Sequence, residues 1–194
     1  MIATIAKKAE DFNSDLLLVG AYGLKVESGE EAEDSFTVMG SVSDGSLRRT
    51  DVSTGIIKVT SHEPDVKKGD GQTFMLATDD SPSAKVAFAL VITKLAHVGK
   101  DKVCVFMNIE NAEERLAKYK VECDKVGIQC ELHASHDHTT DVAEDILNYA
   151  KEKSVDVLVM GTNGFTKQAL GSVSDKCSKA ARCTTIIVKD PRAN

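Results

Sequence analysis

The stretch that decides the fold is residues 155–189, VDVLVMGTNGFTKQALGSVSDKCSKAARCTTIIVK. An apolar run, residues 155–160, ends at a glycine, and a Gly-Ser pair at 171–172 opens a segment whose apolar residues recur at helical spacing. A second apolar run, residues 185–189, closes the unit. This order of strand, glycine loop, helix and strand is typical of α/β proteins whose parallel strands are buried on both faces.

Part of this stretch is repeated near the beginning of the chain. The pentapeptide GSVSD occurs at Gly40–Asp44 and again at Gly171–Asp175. Each copy follows an apolar run that ends in Gly-x-x-Gly, at residues 20–23 and 161–164, and each is followed by another apolar run. The repeat therefore indicates a duplicated structural unit and not merely a shared pentapeptide.

The repeat predicts how the chain is divided. Residues 73–190 alternate strand and helix patterns as βαβαβαβαβ, which predicts a complete domain with an open parallel five-stranded sheet. Residues 1–60 match only the second half of that domain, and two strands bury little apolar area alone. We expect this half to dock on the complete domain or on another chain. Residues 61–72 are polar, with one proline and two glycines, and are expected to be a linker.

Composition narrows the class of protein. The 194 residues carry a formal net charge of −6, which argues against a broad nucleic-acid surface. No apolar run is long enough for a membrane span, and the first residues lack the order of a secretory signal. We therefore expect a cytoplasmic protein with neither nucleic acid nor membrane as a partner. Five cysteines without a C-x-x-C pair favour reduced thiols.

The glycine loop and the helix after it are candidates for ligand binding. Gly161 and Gly164 would let the backbone approach a ligand closely, and the free amides at residues 171–174 would favour an anion. The same spacing also fits a tight turn between strand and helix, with Ser172 as an ordinary helix cap. Both interpretations are open on the sequence alone.

A second candidate lies at the carboxyl end of the first strand of the complete domain, where Asp79 and Asp80 precede Ser81-Pro82. Ligands of open α/β sheets bind outside the carboxyl ends of the strands, so Asp79 would face the same cleft as the glycine loop. The alternative is that both aspartates only form a turn before a helix that Ser81 caps.

A group of histidines is a weaker candidate. His133, His136 and His138, together with Asp137, are residue types that bind metals. They straddle a strand end and a loop, without the helical spacing that would bring them together into a tetrahedral site. We therefore favour a solvated loop over a metal site at these residues.

Three stretches carry a family resemblance: ATDDSPSAKVAFAL at 77–90, VCVFMNI at 103–109, and residues 156–189. They resemble the universal stress protein family over one complete domain, and residues 1–60 resemble a partial second copy. The resemblance implies a sheet of order 3-2-1-4-5 in an adenine-nucleotide α-hydrolase-like, Rossmann-like fold. It also implies pairwise assembly through the last strand and bound ATP or AMP, with Mg²⁺ as a companion of ATP.

The resemblance also implies which residues would hold the nucleotide. Asp79 would lie beside the adenine and ribose, and the backbone of Asn108 beside the adenine edge. The remainder would line the ribose and phosphates: Met160, Gly161, Gly164, Gly171, Ser172, Val173 and Ser174. ATP-binding members have nine residues between the second glycine and Gly-Ser, whereas this chain has six, which favours AMP or ADP over ATP. The N-terminal copy lacks an equivalent of Asp79, so no nucleotide site is expected there.

The function expected from these features is that of a stress-response switch or sensor that binds an adenine nucleotide. An enzyme is not expected, and any ATP hydrolysis should be slow. The alternative is a nucleotide-free interaction module of the same fold. In either case the runs Gly55–Val59 and Thr185–Lys189 are expected to pair, within the chain or in a homodimer, because exposed edge strands seek partners.

Overall fold

The computed structural model describes residues 2–21, 39–58, 71–136, 141–162 and 170–190. Gly23, Gly164, Asp137, His138 and most of the expected linker lie outside these ranges. The described helices are α1 (Ile2–Asp11), α2 (Ser41–Arg49), α3 (Pro82–Leu90, continued by a π-helical turn at Val91–Leu95), α4 (Ala112–Val126), α5 (Val142–Glu152) and α6 (Ser172–Ala180). The described strands are β1 (Leu16–Gly20), β2 (Ser53–Ile57), β3 (Thr73–Ala77), β4 (Lys102–Met107), β5 (Gln129–Ala134), β6 (Val157–Gly161) and β7 (Thr184–Val188).

All seven strands form one sheet in the order β1-β2-β7-β6-β3-β4-β5. The five strands from β3 to β7 are mutually parallel, and within the sheet they run β5-β4-β3-β6-β7. Numbered within their own domain, these strands have the order 3-2-1-4-5, so the predicted α/β fold and strand order are confirmed. The sheet is larger than the five strands expected because the N-terminal strands extend it.

The N-terminal strands join the sheet through an antiparallel contact. Gly55 of β2 lies opposite Ile186 of β7, and β1 then pairs in parallel with β2. The expected pairing of the last strands is therefore formed within the chain. Gly55 suits this position because a Cβ atom here would lie 2.6 Å from a methyl group of Leu18 and 3.4 Å from Ile186.

Helices cover both faces of the sheet, as a parallel sheet requires. On one face, α3 and α4 pack against the strands around Leu76, Val105 and Val159. On the other face, α5 and α6 pack around Phe106 and Leu158, and Leu47 of α2 joins the same cluster. No helix in the described part of the chain is long and apolar enough to cross a membrane.

Local turn chemistry explains three of the helix ends. Ser81 caps α3 by accepting the amide of Ala84, with Pro82 as the first helical residue. Asp141 caps α5 by accepting the amide of Ala143 at 2.9 Å. Gly127 ends α4 with a φ of 73°, a conformation that glycine adopts without strain.

Two lysines, the buried Lys58 and the half-buried Lys189, connect the N-terminal elements to the rest of the molecule. Lys58, which follows β2, donates to the carbonyl oxygens of Lys179 (2.7 Å) and Ala181 (2.6 Å) at the end of α6. Lys189, which follows β7, donates to two carbonyl oxygens at the end of α2, including that of Leu47 at 2.9 Å. The two contacts are therefore reciprocal. Lys58, after β2, caps α6, and Lys189, after β7, caps α2. Burial lowers the pKa of Lys58 to about 8, so the amine is still largely protonated at neutral pH.

We predict that Lys58→Met and Lys189→Met each lower the free energy of unfolding by about 1–3 kcal/mol, because buried carbonyl oxygens lose their donor. Urea unfolding at pH 7 measures this change. Lys151→Met, an exposed position on α5, is the matched control and should alter stability by less than about 0.5 kcal/mol. If all three variants had equal stability, the lysine contacts would not contribute to the fold.

Candidate functional site

A pocket of about 340 Å³ opens at the carboxyl ends of β3, β4 and β6 and at the first turns of α5 and α6. Its volume is in the range of small-molecule sites. Eight of the nine residues expected from the sequence line it: Asp79, Asn108, Met160, Gly161, Gly171, Ser172, Val173 and Ser174. The ninth, Gly164, lies outside the described residues.

The topology explains why these residues meet. β3 is flanked by β4 on one side and by β6 on the other, so the connections leave β3 and β6 in opposite directions along the sheet. A crevice forms at such a switch point, outside the carboxyl ends of the strands. Residues that are up to 95 positions apart, such as Asp79 and Ser174, therefore share one pocket.

The two aspartates after β3 have different surroundings. The carboxylate of Asp79 accepts the amide of Ser81 at 3.0 Å, and the residue also lines the pocket. Asp79 is thus both a turn residue and a pocket residue, so the two interpretations of this position are compatible. Asp80 adopts a φ of 64° and bonds to α4, where it accepts from Tyr119 (3.1 Å) and Lys118 (2.5 Å).

The environment of Asp80 is strongly cationic. Burial acts to raise its pKa, but hydrogen bonds from Lys118 and Tyr119 outweigh burial, so the pKa of Asp80 lies below its usual value. Lys85 at 3.8 Å and Arg115 at 3.6 Å also face this carboxylate. Asp80 therefore stays ionised at neutral pH and fixes the loop after β3 to α4.

Tyr119 reinforces this attachment. Its hydroxyl donates to Asp80 and lies 3.0 Å from the Thr78 hydroxyl, which therefore donates to it. Burial raises the pKa of Tyr119 to about 12, so the phenol keeps its proton. Thr78 and Asp80 flank Asp79, so α4 positions the pocket residue Asp79 from outside the pocket.

The start of α6 differs from the expected cap. The helix is capped by Gly171 and not by Ser172, and this cap provides no side-chain bond to the first amides. The amide of Gly171 donates to the carbonyl oxygen of Thr162 at 2.7 Å, and the hydroxyl of Ser174 donates to the same oxygen at 2.8 Å. These two bonds set the turn at Gly171, so the interpretation of Ser172 as an ordinary cap is wrong. The hydroxyl of Ser172 is exposed at the pocket.

The N-terminal copy of GSVSD makes the same bonds. The amide of Gly40 donates to Ala21 at 2.9 Å, and the hydroxyl of Ser43 donates to the carbonyl oxygens of Gly20 (2.7 Å) and Ala21 (3.2 Å). α2 likewise begins at a glycine without a side-chain cap. The repeated pentapeptide is therefore explained by the geometry of the strand-to-helix turn, whether or not a ligand binds beside it.

Gly161 is required by packing against α3. A Cβ atom at this position would clash with the hydroxyl oxygen of Ser83 and would lie 2.9 Å from the amide nitrogen of Ala84. The sequence suggested that this glycine admits a ligand. In the structure its first role is to let β6 pass close to the beginning of α3.

One wall of the pocket is apolar and was missed in the sequence. Phe106, Ile109, Val142 and Ile146 line the pocket together with Met160. Helical periodicity places Val142 and Ile146 on one face of α5, but it does not indicate that this face borders a pocket. One feature of the sequence could have indicated this wall: Val142 is an apolar residue in the first turn of α5, next to the carboxyl ends of the strands. In the structure Val142 is 37% exposed and lines the pocket.

Side-chain bonds hold the rim of the pocket. The amide group of Asn108 donates to Asp145 of α5 at 2.9 Å, so this side chain is directed at the helix. Lys176 of α6 bonds to Asp141 of α5 at 3.0 Å. The two helices whose first turns border the pocket are therefore linked by an ion pair.

The described histidines are engaged separately. His133 stacks on Tyr149 (ring centroids 4.1 Å apart) and on Phe106 (5.4 Å), and the three rings form one cluster. His136 lies 3.1 Å from a carboxylate oxygen of Glu113. Among the residues that the structure describes, no three His, Cys, Asp or Glu side chains are grouped to hold a metal ion.

Comparison with known proteins identifies the family. The model of the universal stress protein family matches residues 72–189. The chain belongs to the universal stress protein family. Universal stress protein YxiE of Bacillus subtilis is 34% identical over 84 residues, which cover 42% of this chain and 50% of YxiE. Universal stress protein MJ0531 of Methanocaldococcus jannaschii is 33% identical over 86 residues, which cover 43% of this chain and 49% of that protein.

These matches span about half the length of each relative. The structural comparison covers more of this chain than the sequence matches do. A universal stress protein from Archaeoglobus fulgidus superposes with a TM-score of 0.66 and 22% identity, over 97% of this chain and 66% of its own. The shared fold therefore includes the N-terminal elements as well as the family domain.

We predict that Asp80→Asn lowers the free energy of unfolding by about 1–2 kcal/mol at pH 7, because the partly buried, charge-assisted bond from Tyr119 and the ion pair with Lys118 are weakened. Asparagine tolerates the left-handed backbone at this position. The pKa of Asp80 is lower in the folded than in the unfolded protein. Its contribution is thus complete above about pH 4, the unfolded-state pKa, and is lost as the pH falls through the folded-state pKa.

Urea unfolding at pH 7 and at pH 3 measures this difference. The control is Asp124→Asn, which removes an exposed partner of Lys120 on α4 and should change stability little at either pH. A deficit of Asp80→Asn that persisted undiminished at low pH would show that charge is not its cause.

Proposed function

We propose that the chain binds an adenine nucleotide, ATP or AMP, in the pocket at the switch point, and that it acts as a stress-response switch or sensor. The observation that carries the proposal is the convergence of Asp79, Asn108 and the segment 171–174 on one pocket. The residues come from three separate parts of the chain, and each was expected there from its resemblance to a nucleotide-binding family.

The start of α6 suits the phosphates. The amides of Ser172, Val173 and Ser174 belong to the first turn of a helix whose cap residue, Gly171, has no side chain to bond them. Such amides, together with the helix dipole, favour an anion. The hydroxyl of Ser172 adds a further donor, whereas that of Ser174 is already bonded to Thr162.

The opposite side of the pocket suits the nucleoside. Phe106, Ile109, Val142 and Ile146 form an apolar surface for a flat ring. Asp79 is a carboxylate acceptor for ribose hydroxyls, held in place by the amide of Ser81. The pocket thus has an apolar side, a carboxylate and an anion-binding helix start, which together match adenine, ribose and phosphate.

The lining favours binding over catalysis. Among the described residues that line the pocket, Asp79 is the one ionisable side chain. Phosphoryl transfer depends on charges and donors placed around the transferring group. We therefore propose at most slow hydrolysis. Mg²⁺ bound with ATP would neutralise phosphate charge. Because Mg²⁺ prefers oxygen ligands, the carboxylate of Asp79 and the hydroxyl of Ser172 are the pocket side chains that we propose would bind it.

We further propose that residues 73–190 are the nucleotide-binding domain, and that residues 1–60 are the second half of another copy, joined through residues 61–72. The bonds around Gly40 and Ser43 repeat those around Gly171 and Ser174, which supports this division. The N-terminal copy offers a helix start but no equivalent of β3 and Asp79. A single nucleotide site per chain is therefore proposed.

The decisive measurement is calorimetry of nucleotide-stripped protein with AMP, ATP and adenosine. Ser172→Asp should weaken AMP and ATP binding at least about tenfold (~1.4 kcal/mol), because the new carboxylate repels the phosphates. Adenosine binding should be unchanged. An aspartate in the first turn of a helix is favourable, so the fold should be retained.

The chain supplies a matched control in Ser41→Asp, the same position of the N-terminal copy, which should bind AMP and ATP like the parent protein. Absence of binding at millimolar ligand would refute the proposed function. Equal weakening by both aspartates would place the phosphates elsewhere.

A second candidate, an interaction module without nucleotide, is favoured by one observation. β1 is paired on one side only within the described residues; its Leu18 is 55% exposed, and Phe12, four residues before the strand, is 77% exposed. An apolar edge of this kind attracts another strand. If this candidate is correct, light scattering should show self-association that Leu18→Lys reduces and that nucleotide does not affect. Monomeric protein at all concentrations would exclude it.

A further inference from the structure

The N-terminal strand β1 lies at an edge of the sheet and repeats the features of β6, which lies inside it. The two strands read LLLVG at Leu16–Gly20 and VLVMG at Val157–Gly161. Each pairs in parallel with the strand that follows its GSVSD helix. β6 has a second neighbour, β3, on its other side, whereas β1 has none among the described residues. The repeat therefore indicates what kind of neighbour fits the free side of β1.

The free side of β1 leaves an apolar side chain uncovered. Leu18 and Val159 are each the third residue of their strands, but Leu18 is 55% exposed and Val159 is fully buried. Val159 lies opposite Leu76 of β3 and shares a core cluster with Phe88 of α3. A strand and a helix placed on β1 as β3 and α3 are placed on β6 would cover Leu18 in the same way.

The face of β1 that carries Leu18 is the face that α3 covers elsewhere in the sheet. A Cβ atom at Gly55 of β2 would lie 2.6 Å from a methyl group of Leu18 and 3.4 Å from Ile186, so the three positions share one face. Ile186 belongs to the core cluster beneath α3 and α4. α2 lies on the opposite face, where its Leu47 joins the cluster beneath α5 and α6. The face of Leu18 is therefore left open by α2.

A groove next to the N-terminal strands provides room for a helix. It has a volume of about 580 Å³ and lies between α3, the end of α1 and the starts of β1 and β2. Val86 and Leu90 of α3 line it, together with Val52 before β2. Glu10 and Asp51 also line it and are exposed, so we expect a helix that fills the groove to combine apolar and basic side chains.

The residue before each of the two strands is an aspartate. The carboxylate of Asp156, before β6, accepts the amide of Thr73 at 2.7 Å and fixes the start of β3. Asp15 has the same place before β1, where its exposed carboxylate lies 2.7 Å from the exposed amine of Lys94. An exposed ion pair of this kind contributes little to stability. The carboxylate of Asp15 is therefore available to the first amide of an added strand.

The last residue of each strand is a glycine. At Gly161 a Cβ atom would lie 2.9 Å from the amide nitrogen of Ala84, so the absence of a side chain lets α3 begin close to β6. Gly20 has the same place at the end of β1 and is exposed. The repeat thus preserves the position for a helix start as well as the edge for a strand.

We propose that β1 docks a strand–helix segment of another polypeptide, with an apolar strand that adds in parallel to β1 and a helix that begins beside Gly20 and covers Leu18. Strand addition of this kind is a common mode of peptide recognition, in which the backbone bonds supply affinity and side-chain pockets supply specificity. β1 is separated from β3 by β2, β7 and β6. The docking therefore does not depend on the nucleotide site proposed above.

A peptide derived from the chain itself is a suitable probe, because the sequence of β1 resembles that of β6. The labelled peptide has the sequence of residues 71–96, which contains β3 and α3, with added lysines for solubility. Titration of the full chain, followed by fluorescence anisotropy, should show saturable binding of one peptide per chain. Hydrogen exchange measured by mass spectrometry should become slower in residues 16–20.

A shorter peptide tests the contribution of the helix. The peptide of residues 71–79 contains the strand alone and should bind at least about tenfold more weakly, because the helix buries further apolar surface. Gly20→Val should bind the long peptide no better than the short one, since a side chain here would block the helix start. Valine suits a strand, so β1 should be retained in this variant.

Two pairs of variants locate the contact. Leu18→Lys should weaken binding of the long peptide at least about tenfold, because a charge would be buried beneath the helix. Val121→Lys alters a similarly exposed apolar residue of α4 and should bind like the parent protein. Asp15→Ala should weaken binding about threefold through loss of the acceptor. Lys94→Ala breaks the same ion pair but keeps the carboxylate, and should not weaken binding.

Several results would overturn the proposal: no saturable binding, slower exchange only outside β1, or equal binding by Leu18→Lys and the parent protein. If the two peptides bind equally well, the helix is not part of the contact. Self-association of the chain that excludes the peptide and that Leu18→Lys abolishes would make a second copy the occupant instead. Because AMP should leave peptide affinity unchanged, failure of the nucleotide proposal would not affect this test.

Discussion

The parallel pairing of β3 with β6 is the contact on which the site depends. These strands are more than 80 residues apart in sequence, and their starts are locked by reciprocal bonds between Thr73 and Asp156, one backbone to backbone (3.0 Å) and one to the carboxylate (2.7 Å). The register brings Ala77 opposite Met160, so the loops after the two strands leave the sheet at the same edge. After β3 the chain continues to β4, and after β6 it continues to β7 on the opposite side, so a crevice remains between the two loops.

A second contact, between β2 and β7, decides what the N-terminal elements do. Two strands and two helices bury too little apolar area to fold alone. They are stabilised here because β2 pairs with β7, the edge strand of the five parallel strands. Lys58 donates to carbonyl oxygens at the end of α6, and Lys189 donates to carbonyl oxygens at the end of α2. These oxygens have no partner within their own helices, so the lysines supply the missing donors. Within the described residues, β2 covers the edge of β7, and β1 becomes the edge strand on that side of the sheet.

The pocket has supports on both sides that local sequence does not reveal. α4 holds the loop of Asp79 through Tyr119 and Asp80, and α5 holds Asn108 and the start of α6 through Asp145 and Asp141. These partners are ordinary charged or aromatic residues on amphipathic helices. Their roles depend on which helix face meets which loop, so the sequence contains no distinctive signal for them.

The sequence was sufficient to predict the alternation of strands and helices, a cap at Ser81, the order of the five parallel strands and eight residues that line the pocket. These follow from local periodicity, from turn chemistry and from a resemblance carried by short motifs. Only the tertiary structure decided that Gly161 serves packing against α3, that Gly171 and not Ser172 caps α6, and that Ser174 bonds to Thr162. It also decided that the edge strands pair within the chain and that Val142 and Ile146 form a pocket wall. The reason is physical: a local pattern sets the conformation of a segment, but the space around an atom is set by neighbours that are distant in sequence.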